Sequence, residues 1–197
     1  MLDDYIKKAE EVLEDKFGIK PKQSRLIYHD DWSSFVIENN LYVHGESIFF
    51  PKDLTAHVPK QSLEKILPLA FHELEGHGNY CEHTPYGKKL VEDEKIFSRL
   101  EGEEKIRFAS ECSIYFKNIK PYFEGFAIWM EEFLLNSVER EDLWLKRREK
   151  SKHMPLDTTH SYFDAYSVLK SFERENGTYE LWKMVGFPID KLSGGTK

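Results

Sequence analysis

Apolar and polar residues follow two different rhythms along this chain. From Ser62 nearly to the end the spacing is helical, whereas residues 24–54 are dense in β-branched and aromatic residues. The first stretch, "MLDDYIKKAEEVLEDKFG", brings Leu2, Tyr5, Ile6, Ala9, Val12, Leu13 and Phe17 to one face and stops at Gly18, which predicts an amphipathic helix. "RLIYHD" and "SSFVIENNLYVHGESIFFP" read as strands with a turn at Asn39-Asn40, and so predict a small antiparallel sheet. The expected class is α+β: a single domain over 1–197, with a β-rich part at about 24–54 and a helical part at 62–185.

Two of the helices stand out. "SLEKILPLAFHELEGH" predicts a helix over 62–77, with Ser62 as a cap and with Pro68 either kinking it or marking its true start. Leu63, Ile66, Leu67, Leu69, Ala70, Phe71 and Leu74 make it apolar on most sides, so it is buried. Two histidines and a glutamate on such a helix need partners, because burying them alone costs several kcal/mol. "KPYFEGFAIWMEEFLLNSV" reads as a helix opening at Pro121, with Glu124 among Tyr122, Phe123, Phe126, Ala127 and Ile128. That carboxylate also needs a cation, and its sequence neighbourhood offers only Lys120.

Composition narrows the functional classes. With 197 residues and 40% hydrophobic content the chain can bury an ordinary core. Net charge is -7, and the basic run "LKRREKSKH" at 145–153 reads as a solvated helix end, so no nucleic-acid partner is expected. Cys81 and Cys112 are too few for a disulfide scaffold and suit a reducing compartment. The N-terminus does not read as a signal peptide, and no apolar run approaches a membrane span. The expectation is a soluble cytoplasmic protein with no membrane partner. Oligomeric state is not legible.

The stretch "FHELEGHG" at 71–78 carries the chemistry. The zinc pattern HExxH sets two histidines four apart on one helix face with a glutamate as general base. Here His72 and His77 are five apart, which in a regular α-helix leaves them about 140° apart. A π-type turn brings i and i+5 into register, and Gly76 is the residue most willing to take unusual backbone angles there.

His72-Glu73-x-x-x-His77 and the later "EGFA" resemble the gluzincin metallopeptidases with an HExxxH motif, as in dipeptidyl peptidase III and the tubulin tyrosine carboxypeptidase-like group. The resemblance implies a zincin-like domain in which His72, His77 and Glu124 bind Zn2+, Glu73 is the general base, and the substrate is a peptide or protein. Late in the chain, "TTHSYFDAYSVLKSF" offers His160, Tyr162 and Tyr166 as oxyanion donors on a helix capped by Thr158 or Thr159. That helix is loosely similar to the tyrosine-rich helix of helical oligopeptidases.

Plainer readings stand beside these. A buried histidine is usually a satisfied core residue, Glu124 suits a helix start, and tyrosines on an apolar face are usually core. Glu131 competes with Glu124 as a ligand, and Glu75 reads as a supporting or surface group. "LYVHGESIFFP" is expected to offer a sheet edge to an extended substrate. The alternatives to a peptidase are a catalytically inactive zinc-binding or protein-interaction module on the same scaffold, and a helical di-metal carboxylate protein. The last wants ExxH pairs, which this sequence lacks.

Overall fold

The computed structural model describes residues 2–19, 23–39, 41, 46–151 and 156–187, with backbone only for 113–119, 121, 151 and 156–161. The expected α+β class is present: most of the chain is helical, with one small sheet. Helix α1 (Leu2–Phe17) buries Ala9 and Leu13. Strands β1 (Arg25–His29), β2 (Ile48–Phe50) and β3 (Thr55–Pro59) form a sheet in the order β1-β3-β2.

The sheet is mixed, which corrects the antiparallel expectation. β1 runs parallel to β3 with Ile27 opposite His57, and β2 runs antiparallel to β3 with Phe49 opposite Ala56. Parallel neighbours need a crossover, and a helix within the crossover, α2 (Trp32–Glu38), occupies residues that read as strand. Asp31 starts α2 by accepting from the Ser34 backbone N–H at 3.0 Å and from the Ser34 hydroxyl at 2.7 Å. Asn39 ends α2 instead of turning a hairpin, and Asn40 lies outside the described residues. The strand region also reaches beyond residue 54, to Pro59.

A 3-10 turn (Pro51–Asp53) links β2 to β3, and after β3 the chain is helical. It runs through α3 (Leu63–Ala70), a π-helix (Phe71–Gly78), α4 (Asn79–His83) and α5 (Pro85–Phe97). It continues through α6 (Gly102–Ser137), α7 (Glu141–Ser151), α8 (Leu156–Asn176) and α9 (Thr178–Val185). Helix α6 is 36 residues long, so Pro121 lies inside it rather than at its start. Its C-terminal half carries Phe126, Trp129, Met130, Leu134 and Leu135, all fully or almost fully buried in the main core. That burial outweighs the one backbone hydrogen bond a proline forfeits. Helix α8 starts at Leu156, which places Thr158 and Thr159 within it rather than at its cap. No described helix is long and apolar enough to cross a membrane.

Candidate metal centre

The five-residue spacing is absorbed by the backbone. Ser62 takes the cap position of α3 without a capping side-chain bond, and Pro68 sits inside the helix. The chain then widens into a π-helix over Phe71–Gly78, all eight residues of which are buried. The i and i+5 side chains now converge: the rings of His72 and His77 lie 4.9 Å apart, nearly perpendicular at 87°.

Gly76 contributes differently from the sequence expectation. It is not among the residues of positive φ. Instead, a Cβ at this position would fall 2.6 Å from the Ala127 Cα and 2.8 Å from its Cβ. The glycine is required because the π-helix lies directly on α6. One turn of α6 explains the "EGFA" string: a Cβ on Gly125 would meet the Ala165 Cβ at 2.8 Å on α8, while Ala127 meets Gly76. Small residues on two sides let α6 pass closely between its neighbours, and Glu124 is delivered to the histidines.

His72, His77 and Glu124 form a cluster able to hold a metal ion, their ligand atoms all lying within 4.8 Å of one another. The Nε2 atoms of His72 and His77 are each 3.5 Å from the same Glu124 oxygen, Oε2. Tetrahedral ligands at zinc distances of about 2.0–2.1 Å are separated by about 3.3 Å, so these edges fit such an ion. The His77 ring is held by Phe123, stacked at 3.9 Å, with Phe49 of β2 at 6.1 Å. The histidines are almost fully enclosed, whereas 21% of the Glu124 side chain is exposed, so access is from its side.

The electrostatics favour a cation. Burial alone would lower the His72 pKa, but Glu124, Glu131 and Glu73 outweigh it and push it up to about 10. Burial likewise opposes ionisation of Glu124, yet the two imidazoles hold its carboxyl well below the usual range. His77 Nδ1 is buried without a hydrogen-bond partner among the described residues, and both oxygens of Glu131 are buried, one against Arg147 and one against His72. A donor set of two imidazoles and a carboxylate, in surroundings this rich in negative charge, suits a divalent ion.

Glu73 lies beside the cluster, its Oε2 3.9 Å from His77 Nε2. The Ser47 hydroxyl donates to the other oxygen, Oε1, at 2.7 Å. Ser47 escaped the sequence reading, since nothing local marks it and only the fold brings it across. Glu131 stands behind His72, its Oε2 3.4 Å from Nδ1, on the opposite side of the ring from Glu124. It is therefore not one of the three convergent ligands. Glu75 is fully buried, and Asn79 donates both to its carbonyl and to its carboxylate at 2.7 and 3.1 Å.

The other residues singled out lie differently. Tyr166 is buried and donates to Glu132 at 2.9 Å. Burial, followed by the Glu132 charge, pushes its pKa up. Tyr162 stacks under the Lys120 ammonium at 5.5 Å. The His160 side chain lies outside the described residues. No protein-family model, curated protein or solved structure matches this chain.

Proposed function

We propose that the protein is a zinc-dependent peptidase in which His72, His77 and Glu124 hold the metal and Glu73 is the general base. One observation carries this reading: a π-helix turns two histidines onto a single carboxylate oxygen of another helix, with a second glutamate beside them. A zinc ion held there would supply Lewis acidity towards a carbonyl and would lower the pKa of a water bound to it towards neutrality.

The chain's own groups divide the remaining work. Ser47 occupies Oε1 of Glu73, fixing the carboxylate and leaving Oε2 on the histidine side to accept a proton. Among the described residues, which leave out 42–45 of the stretch expected to offer an edge, strand β2 is an edge of the sheet, and Phe49 turns towards His77. An extended peptide can pair with that edge through its main chain, which accommodates many side-chain sequences. The depth of the two histidines favours a second reading, a metal-holding module without catalysis.

Metal analysis followed by digestion of a peptide library, read by mass spectrometry, tests both. About one zinc per chain and cleavage that disappears in Glu73→Gln support the peptidase. Zinc without cleavage supports the module, and no divalent metal bound at micromolar free concentration overturns both readings.

A further inference from the structure

The charges behind His72 form a chain that the three-ligand site does not use. Glu131 is 1% exposed, and a carboxylate so deeply buried is costly unless paired. Its Oε1 lies 2.8 Å from Arg147 Nε on α7, and its Oε2 faces His72 Nδ1 at 3.4 Å. Arg147 also reaches outward, with Nη1 3.8 Å from Glu46 Oε2, and Lys150 pairs with the same Glu46 carboxylate. Glu46 directly precedes Ser47, the residue that holds Glu73. One guanidinium thus stands between the support of a ligand histidine and the segment that supports the general base.

We infer that Arg147 and Glu131 are positioning residues of the metal centre: Arg147 anchors the Glu131 carboxylate behind His72, and Glu131 orients the imidazole so that Nε2 faces the metal. The inference rests on the proposed metal site. Two features argue against a purely structural pair. An arginine on a charged helix finds surface partners readily, as Lys146 does with Asp142 at 3.8 Å, yet Arg147 reaches a buried carboxylate. The second Glu131 oxygen, moreover, is turned to the one nitrogen of His72 that points away from Glu124. A carboxylate in that position fixes the tautomer and the ring orientation of a ligand histidine. Arginine suits the task because it stays charged under all conditions and its fork can serve two carboxylates.

The experiment measures zinc affinity by competition with a chromophoric chelator, together with the visible spectrum of the Co2+-loaded protein. The proteins are wild type, Arg147→Ala, Glu131→Gln and the double variant. Each single variant is expected to bind zinc about 10- to 100-fold more weakly and to shift the Co2+ ligand-field bands. The double variant should be no weaker than the weaker single, because both act through the same contact. If Arg147→Ala does not fold, Glu131→Gln retains the side-chain shape and gives the same readout. The double variant, which leaves no buried charge unpaired, should then recover folding. Zinc binding in Arg147→Ala within twofold of wild type, or losses that multiply in the double variant, would overturn the inference while leaving the metal site standing. Failure of the wild type to bind zinc would instead overturn the site itself, and the inference with it.

Discussion

Replacing Gly76 by alanine adds one methyl group at the place where the π-helix rests on α6. That methyl would sit 2.6 Å from the Ala127 Cα, 2.8 Å from its Cβ and 3.2 Å from its carbonyl oxygen. Ordinary contact begins near 3.4 Å, so the two helices must part by about 0.8 Å. His72 and His77 ride on one of them and Glu124 on the other, at edges of 3.5 Å. Directed along those edges, the same displacement stretches them to about 4.3 Å, well outside the tolerance of about 0.2 Å that a zinc site allows. Overpacking of this kind costs about 1–3 kcal/mol, and here it falls on stability and ligation together. Gly76→Ala should therefore melt lower in the presence of a chelator and bind zinc at least tenfold more weakly, although no ligand has been removed. Ala127→Gly should relieve only part of this, since the Ala127 Cα and carbonyl remain in the way. Thermal melts with and without EDTA, combined with chelator competition, measure both effects. A Gly76→Ala protein with wild-type zinc affinity and an unchanged melting temperature would refute the argument that close helix contact assembles the centre.

Further outcomes follow from the structure and from the peptidase reading proposed above. His77→Ala should lose the metal, whereas Glu73→Gln should retain it and lose hydrolysis by about 10³-fold or more, as metal content and peptide turnover will show. Ser47→Ala should leave zinc affinity unchanged and lower kcat by about tenfold, because it frees the Glu73 carboxylate; equal kcat in the two proteins would contradict that role. Removing zinc should lower the melting temperature by an amount that grows with free zinc in the reference sample, since only the folded chain holds the ligands together. Burial, and then the neighbouring His29, lowers the His57 pKa to about 4. Below pH 6.5 the unfolded chain takes up a proton that the folded one refuses, so stability should fall between about pH 6.5 and 4. The shift corresponds to about 3 kcal/mol at most, reduced to about 1 kcal/mol by solvent screening, and urea melts of His57→Gln should show a flatter pH dependence.

Much of this centre was legible along the chain. His72, Glu73 and His77 fall on a helix too apolar to be anywhere but inside, and a five-residue interval can serve one ion only if the helix widens, as it does over Phe71–Gly78. Glu124 was recognisable as a carboxylate set among apolar residues. These are local properties, set by side-chain type and helical period. Some of what was missed had a local signal too: Asp31 three residues before Ser34 is a helix start, although the β-branched and aromatic residues that follow read as strand. The rest was decided in three dimensions. The parallel pairing of β1 with β3 depends on where the crossover lays the chain, and no period within either strand records it. Gly76 looked like a hinge from its place in the motif, and only the approach of Ala127 shows that it is a contact point. Ser47 reaches Glu73 across 26 residues, and Arg147 reaches Glu131 from another helix. Such distant partners come together because packing one apolar face against another brings their polar neighbours along. A buried carboxylate then takes whichever cation the packing delivers.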